Sequence, residues 1–320
     1  MTRPYVPQPV LDAAHGRSAA RAARDWALAD QLRDQIEAAG WRVIDSGVDF
    51  RLEPAVPADR VEDGRVLYGH SSAVPSRLDE ASSMALTVVL VTTDANVDLV
   101  ERSVAGLMQH HGSDLEIVVI MEDPALELWA SFVSLTPRVE LVGTSTQLGA
   151  AALLNCGLRR ASGAVVAFMD PALVVTGDVV KPMLAALEDP GSAVVGRSGA
   201  RTEDFRTFDP VGPESDPTVI DGALLAFRRE DGRALGPLDE DFTDSYLLDA
   251  WWSLVLRDGR DDQLVRQART IPGLPLLHDD GRLSAGGAVA DRRARKRNQY
   301  RLLDRFRGRS DLAAPSTSES

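Results

Sequence analysis

The most regular hydrophobic pattern in the chain lies between residues 147 and 180. Apolar and small residues recur at helical spacing within 153–158, and Ala164–Met169 then forms a short continuous apolar run. The first pattern predicts an amphipathic helix, and the second is typical of a parallel strand that is buried on both faces. The strand ends at Asp170, and open α/β sheets bind their ligands at the carboxyl ends of their strands. The pattern therefore predicts an α/β domain with an acid at its binding edge.

Three further apolar runs precede this block. Leu86–Thr92 and Leu115–Met121 are rich in β-branched residues, a helical segment spans about 97–109 between them, and Val139–Val142 is a short third run. Strands that alternate with helices predict a mostly parallel sheet with helices on its faces. We therefore expect an α/β fold with a Rossmann-like sheet.

The N-terminal part has a different pattern. Residues 1–16 contain prolines and no sustained period, so we expect them to be irregular. Ser18–Gly40 has one apolar face that includes Trp26, and Trp41–Leu52 has the pattern of a short hairpin. Residues 17–52 therefore predict a small module made of one helix and one hairpin.

The remaining boundaries follow from composition. Residues 53–83 are rich in Pro, Asp, Ser and Gly and predict a linker. We assign residues 84–309 to the large domain and expect residues 310–320 to form a disordered tail.

The order of these motifs resembles a known family. The block around Asn155, the strand that ends in Asp170-Pro171-Ala172, and the turn Gly236–Phe242 resemble the nucleotide-sugar glycosyltransferases of family 2, which have the GT-A fold and invert the transferred sugar. The resemblance extends from about Leu86 to His278. It implies a GT-A domain and a glycosyltransferase activity. Where the family has an Asp-x-Asp metal motif, Ala172 replaces the second acid.

The resemblance also implies a set of donor-binding residues at the carboxyl ends of the strands. In relatives, residues after the first strand line the nucleobase and ribose, and an acid after the second strand, here Asp123 or Glu122, contacts the base. For each position, capping or loop solubility is an alternative role. The candidate nucleotide-binding residues are Thr92, Thr93, Asp94, Asp123, Asn155 and Asp170.

The acceptor half supplies the candidate catalytic base. After the Gly236–Phe242 turn the family places an acidic pair before a helix, whereas this chain has Leu247-Leu248-Asp249. Asp249 is therefore the candidate general base, and apolar neighbours on its helix should raise its pKa by desolvation. The alternative is that Asp249 only caps the N-terminus of that helix.

A divalent ion, Mg²⁺ or Mn²⁺, is the cofactor that the resemblance implies. Asp170 is the first candidate ligand and His278, at the end of a short apolar segment, is the second. Mg²⁺ is commonly bound by one or two carboxylates together with phosphate oxygens, so Asp170 with a diphosphate could suffice. A structural role for His278 is the alternative.

Charge is unevenly distributed along the chain. Asp291–Arg309 holds nine Lys and Arg and two Asp, so it carries +7 and leaves −20 on the rest of a chain whose net charge is −13. An acidic body argues against nucleic acid as the main partner. The basic segment predicts either a peripheral contact with an anionic membrane or a helix that packs its edge of Tyr300, Leu303 and Phe306 on the domain.

Cysteine content and hydropathy further restrict the kind of protein that this chain can be. The single cysteine, Cys156, excludes an internal disulfide framework, and its apolar neighbours indicate a packed side chain, with a reactive thiol as the alternative. We find neither a membrane-span pattern nor a signal-peptide pattern, so we expect a cytoplasmic protein. A peripheral membrane location through the basic segment is the alternative.

A second resemblance covers a tenth of the chain. Arg21–Leu52 resembles the small C-terminal module of cysteinyl-tRNA synthetases, but the chain contains none of their catalytic motifs. An interaction or tRNA-facing element and a simple packing module are both compatible with it.

Two hypotheses about the whole chain follow. The first is an enzyme that transfers a sugar from a nucleotide-sugar donor to a polysaccharide, lipid-linked or small-molecule acceptor. The second is a non-catalytic GT-A protein that serves as a binding or scaffold component, because Ala172 and Leu247-Leu248 depart from the family pattern.

Overall fold

The computed structural model describes residues 6–46, 49–55, 57–93, 96–133, 139–212, 215–259, 265–278 and 292–315. The helices of these residues are α1 (Gln8–Ala22), α2 (Trp26–Ala38), α3 (Val97–His110), α4 (Leu126–Val133), α5 (Ala150–Arg160), α6 (Val180–Glu188), α7 (Arg229–Leu235), α8 (Leu248–Asp258) and α9 (Arg292–Phe306). No described helix has the length and apolar character that crossing a bilayer requires.

The strands are β1 (Trp41–Ser46), β2 (Asp49–Pro54), β3 (Arg60–Glu62), β4 (Arg65–Tyr68), β5 (Met84–Thr92), β6 (Leu115–Glu122), β7 (Val139–Thr144), β8 (Gly163–Met169), β9 (Leu173–Val175), β10 (Ser192–Gly196), β11 (Gly199–Arg201), β12 (Asp209–Val211), β13 (Val219–Ile220), β14 (Leu224–Arg228), β15 (Gln267–Thr270) and β16 (Leu276–His278). Nine strands of the described residues form one sheet, in the order β15-β10-β14-β8-β5-β6-β7-β4-β3. Its centre is parallel, as predicted, and β14 runs antiparallel to β8.

Helices cover both faces of this sheet and bury the apolar sides of its central strands. One core includes Phe168, Phe227 and Trp252, and the other lies beneath α3 and α6. Helix α5 packs so closely on β5 that a Cβ at Gly157 would lie 2.3 Å from Cγ1 of Val89. The mostly parallel sheet between two helical layers is the α/β architecture that the sequence predicts.

The N-terminal module contains one more helix than the sequence predicts. Residues 8–16, expected to be irregular, belong to α1, because a proline such as Pro9 is tolerated in the first turn of a helix and Val10 and Ala14 are buried one turn apart. The chain then breaks at Arg24, whose φ is +60°, and Asp25 caps α2. Trp26, predicted on a buried face, is 59% exposed. The expected hairpin is present as β1 and β2.

The predicted linker contributes to the sheet. Strand β4 pairs in parallel with β7 and antiparallel with β3, which extends the sheet by two strands. Ser71, in the turn that follows, is buried and donates a hydrogen bond to Glu240. Local composition suggested a linker because these strands are short and largely exposed, and only pairing with β7 orders them.

The C-terminal segment packs on the domain. Leu302, Phe306 and Leu312 are fully buried, and the N–H of Ala314 donates to Thr202 O at 2.8 Å. Within the segment predicted as a disordered tail, residues 310–315 are therefore packed, and residues 316–320 lie outside the described residues. Tyr300, predicted on the packing edge, is 59% exposed, and Leu302 is buried in its place.

Candidate active site

Several candidate residues meet at one edge of the sheet. Because β5, β6 and β8 are parallel, Thr93, Asp123 and Asp170 follow the carboxyl ends of three adjacent strands. Strand β14 is antiparallel to β8, so the turn Asp221–Ala223 at its amino end reaches the same edge. The edge therefore combines residues that are far apart in the sequence.

Asp170 is held by backbone hydrogen bonds on both sides. Its N–H donates to Ala223 O at 2.8 Å, and its Oδ1 accepts the N–H of Ala172 at 2.8 Å. The carboxylate is partly exposed, whereas Ala172 is fully buried. The position of the family's second acid thus points into the protein in this chain, which leaves Asp170 as the only acid of the motif.

His278 comes to the same edge through a small two-stranded sheet. Strand β16 pairs antiparallel with β9, which places His278 opposite Leu173, and the N–H of Leu173 donates to Asp170 O at 3.0 Å. Among the described residues, no three His, Cys, Asp or Glu side chains converge as a ready-made metal site. An ion bound at this edge would therefore have to take most of its ligands from a bound diphosphate.

Asp249 lies in the first turn of α8, beside the Asp221–Ala223 turn. A Cβ at Gly222 would lie 3.4 Å from Asp249 Oδ2, and Oδ1 accepts the N–H of Ala250 at 2.8 Å. Surrounding protein atoms desolvate the carboxylate and raise its pKa to about 6. The charge of Asp221 raises this pKa further, while the N–H groups of Ala250 and Gly222 oppose the rise.

Helix α8 and the neighbouring extended segment have matching repeats. Ser253 Oγ accepts the N–H of Ile220 at 3.1 Å, and Arg257 Nη1 donates to Thr218 O at 2.8 Å. Steps of four residues along the helix, from 257 to 253 to 249, therefore match steps of two along the segment 218–222. Four residues of a helix rise about 6 Å and two residues of an extended segment rise about 6.6 Å, so the two spacings are similar. This pairing holds Asp249 against Gly222.

Leu247, which precedes α8, has a left-handed backbone. Its φ is +61° and its ψ is 8°, a conformation that costs a non-glycine residue about 1–2 kcal/mol. Strain of this kind persists where the surrounding structure enforces it, and it is found frequently beside functional groups. Here it turns the chain directly into the helix that carries Asp249.

Asn96 holds the turn at the carboxyl end of β5 through hydrogen bonds. Its Oδ1 accepts the N–H of Thr93 at 2.7 Å, and the hydroxyl of Thr92 donates to the same atom at 3.2 Å. Thr92 is fully buried, so it shapes the turn, and Thr93 is partly exposed at the edge. Asp94 lies outside the described residues.

Asn155 was predicted to bind the nucleotide, but its side chain does not face the binding edge. Its side chain is 1% exposed and donates to Leu238 O at 2.9 Å and to Glu240 Oε1 at 2.8 Å, while its Oδ1 accepts the N–H of Leu238 at 2.8 Å. All of these partners lie in the Gly236–Phe242 turn or bond to it. Asn155 therefore fixes that turn against α5, and its neighbour Cys156 is buried, with burial raising the pKa of the thiol to about 12.

The two acids after β6 have different partners. Glu122 Oε1 accepts the N–H of Leu148 at 3.1 Å, so this side chain fixes the entry to α5. Asp123 forms an ion pair with Arg60 of β3, and more than half of its side chain stays exposed. Of the two alternatives, Asp123 is the acid that a nucleobase could still reach.

A large groove lies elsewhere. A cavity of about 670 Å³ opens at the opposite edge of the sheet, beside Ala164 at the start of β8 and Arg228 at the end of β14. The cavity therefore does not lie at the edge where the sequence predicts ligand binding by Asp170. The chain that follows His278, residues 279–291, lies outside the described residues.

Comparison with known proteins agrees with this geometry. Residues 87–236 match the family model of glycosyl transferase family 2. The matched range begins within β5, extends past β14 and includes Asp170, whereas Asp249 and His278 lie beyond it. No curated protein matches the chain by sequence.

Among solved structures, that of GalNAc-T7 with UDP, GalNAc and Mn²⁺ has a TM-score of 0.57 at 16% identity and covers 71% of this chain. This likeness shows a GT-A fold. The chain spans about half of that protein, 48%. The mannosyltransferase PcManGT from Pyrobaculum calidifontis with GDP-Man and Mn²⁺ covers 65% of this chain and 61% of its own at 19% identity, with a TM-score of 0.47. S. aureus TarS residues 1–349 cover 60% and 59% at 14% identity, with a TM-score of 0.45.

Sequence reasoning missed three residues of the candidate site. The charge of Asp221 raises the pKa of Asp249. Hydrogen bonds of Ser253 and Arg257 fix α8 in register with the segment 218–222. A sequence signal was available for two of them. Asp249, Ser253 and Arg257 are polar residues spaced by four in a helix that is otherwise almost entirely apolar.

Proposed function

We propose that the large domain is a family 2 inverting glycosyltransferase that moves a sugar from a nucleotide-sugar donor to an acceptor hydroxyl. The observation that carries the proposal is the position of Asp249, whose carboxylate has a pKa raised to about 6 beside the turn that binds Asp170. A general base works best when its pKa lies near the working pH. The second observation is the family match over residues 87–236.

The reaction needs one proton transfer and one substitution. The carboxylate of Asp249 accepts the proton of the acceptor hydroxyl, whose oxygen forms a bond to the anomeric carbon. The bond from that carbon to the diphosphate oxygen breaks, and its electron pair leaves with the nucleoside diphosphate. Attack opposite the leaving group inverts the anomeric configuration. Asp249 would therefore lie on the acceptor side and Asp170 on the donor side.

The donor would lie along the carboxyl edge. Asp123 offers the carboxylate oxygen that Arg60 leaves free to an N–H of the base, because a carboxylate accepts several hydrogen bonds. Thr93, with Asp94 next to it in the sequence, would line the ribose. A divalent ion held by Asp170, His278 and the diphosphate would supply positive charge to the leaving group.

Because the protein donors are few, Mn²⁺ binding should require nucleotide. We expect Mn²⁺ alone to bind weakly, and UDP or GDP to raise its affinity at least about 10-fold by adding phosphate oxygens. Asp170→Asn should remove this gain, whereas Asp123→Asn should weaken nucleotide binding with and without Mn²⁺ alike. Calorimetric titrations of the two variants check the assignment. Tight Mn²⁺ binding without nucleotide would show that a protein site exists elsewhere.

The direct test of function is donor turnover. The full chain is incubated with UDP-, GDP- and dTDP-sugars, with and without Mn²⁺, and release of nucleoside diphosphate is measured together with thermal shifts. We expect one donor class to stabilise the protein and to be hydrolysed slowly without an acceptor. If a nucleotide binds and no donor is turned over under any condition, the domain is not a transferase.

The pH dependence of transfer tests the role of Asp221. A general base must be ionised, so the rate should rise as the pH increases through about 6. The charge of Asp221 raises the pKa of Asp249, so Asp221→Asn should move the midpoint to lower pH. Asp216→Asn removes an exposed charge nearby and should leave the midpoint unchanged. An identical shift in both variants would mean that the effect is one of net charge.

A non-catalytic binding protein is the second candidate, and specific observations favour it. Ala172 is buried where relatives have an acid, Leu247 and Leu248 replace the acidic pair, and Arg60 already pairs with Asp123. This candidate predicts nucleotide binding without turnover. In either case, a role of the N-terminal module as an interaction or tRNA-facing element stays a prediction.

A further inference from the structure

Helix α9 has two faces of different character. Its inward face buries Leu302, Leu303 and Phe306, and the ring of Phe306 lies 5.4 Å from that of Trp251. The apolar edge that could have entered a bilayer is therefore used for packing on the domain. What remains exposed is almost entirely polar.

The exposed part of α9 and the residue just after it form a cationic surface. Arg301 forms ion pairs with Asp239 and Asp241, but its neighbours differ. Within the described part of the chain, six exposed cations here have no carboxylate partner within ion-pair distance, and we call them the α9 cationic face: Arg292, Arg295, Lys296, Arg297, Arg305 and Arg307. Two of them also contact the domain, because the guanidinium of Arg295 lies over the ring of Tyr246 and that of Arg305 over the rings of Trp251 and Phe306. The one acid exposed among them on the helix is Asp304.

Cations without a carboxylate partner on a protein of net charge −13 indicate an anionic partner for this face. The helix is about 22 Å long, and charges more than about 8 Å away are screened at physiological salt, so the acidic body opposes such a contact only weakly. Tyr300 is 59% exposed at the centre of this face, with the ammonium of Lys296 5.6 Å from its ring. Tyrosine and basic residues together are typical of contacts at lipid headgroups.

Helix α9 also contacts the loop that precedes the helix of the candidate base. Asn298 Nδ2 donates to Asp244 Oδ1 and to Tyr246 O, both at 2.9 Å, and the guanidinium of Arg295 lies 5.1 Å from the ring centre of Tyr246. The loop that contains Asp244 and Tyr246 runs directly into α8 and Asp249. A surface bound by α9 is therefore close to the acceptor side of the site.

We propose that the α9 cationic face docks the protein on an anionic lipid surface, and that the acceptor is carried by that surface. The docking stands on the charge of α9 alone, while the statement about the acceptor rests on the proposed function. Attraction is electrostatic and needs no insertion, because basic side chains near an anionic headgroup layer each contribute to binding. Exposed Tyr300 beside Lys296 favours a headgroup layer over nucleic acid. The acceptor would then be a lipid-linked hydroxyl.

The test is co-sedimentation of the full chain with vesicles of phosphatidylcholine alone and with roughly one-third phosphatidylserine. We expect binding only to the anionic vesicles, and its loss in about 0.5 M salt. Lys296→Gln/Arg297→Gln/Arg307→Gln should weaken binding at least about 10-fold. The matched variant Arg33→Gln/Arg51→Gln/Arg206→Gln removes three exposed arginines elsewhere and should bind as the unchanged protein does.

Three results would overturn the docking proposal. They are absence of binding to anionic vesicles, equal binding by the two triple variants, and displacement from vesicles by a single-stranded RNA that binds the same face more tightly. Circular dichroism confirms that both variants are folded. Because vesicle binding is measured without donor, its failure leaves the transferase proposal standing. Conversely, vesicle binding without turnover of any donor would support the docking proposal and contradict only the proposal that the membrane carries an acceptor.

Discussion

Asp249→Asn should lower the rate of sugar transfer by at least about 100-fold, since a positioned general base contributes roughly 10²–10⁴. The amide keeps the size of the carboxylate and can still accept the N–H of Ala250, so the helix start is retained. Nucleotide affinity should change little, because Asp170 and Asp123 lie on the donor side. Steady-state transfer and a nucleotide titration on the same preparation measure both quantities.

The same substitution should stabilise the protein at neutral pH. A carboxyl whose pKa is raised from 3.8 to about 6 on folding binds more protons in the folded state between these values, so its contribution to stability is lost as the pH rises through 6. Removing the charge should therefore raise the free energy of unfolding at pH 7 by about 1–3 kcal/mol. Asp30→Asn, an exposed residue of α2, is the control for both measurements. A variant that unfolds, or that transfers at the original rate, would exclude Asp249 as the base.

Asn155→Ala should destabilise the fold by about 2–4 kcal/mol and leave nucleotide affinity unchanged. The substitution leaves the buried N–H and carbonyl of Leu238 without their partner and takes a donor from Glu240, which is exposed. Each buried polar group left without a partner costs about 1–3 kcal/mol. Urea unfolding measures the loss, and a titration at low temperature, where the variant is folded, measures the affinity.

The neighbouring residue provides the comparison. Cys156→Ala removes a buried side chain of similar size and should cost about 1 kcal/mol, as a small core truncation does. Weaker nucleotide binding by the folded Asn155→Ala protein would place Asn155 in contact with the donor. The structural role inferred from its hydrogen bonds would then be incomplete.

The central sheet could be predicted because its strands are determined locally. Leu86–Thr92 and Ala164–Met169 are continuous apolar runs, and such runs are buried wherever a parallel sheet forms. Strands β3 and β4 could not be predicted in the same way. They are three and four residues long, and what orders them is the pairing of Leu67 with Gly143 in a distant part of the chain.

The candidate site shows the same division. The position of Asp170 follows from the strand that ends there, and the raised pKa of Asp249 follows from its apolar helix. The partner of Asn155 is 83 residues away and that of Asp123 is 63 residues away. Sequence reasoning by resemblance assigned Asn155 to the nucleotide because it had no means of identifying such a partner.

The matched repeats of α8 and residues 218–222 constrain how this chain can vary in length. One residue inserted between 249 and 257 would rotate Asp249 by about 100° relative to Arg257, and one inserted between 218 and 222 would turn the segment's other face to the helix. Only paired changes of about four residues in the helix and two in the strand preserve the register. In homologues that keep the base, insertions should therefore be found outside both segments, and a transplanted site would need the two segments moved together.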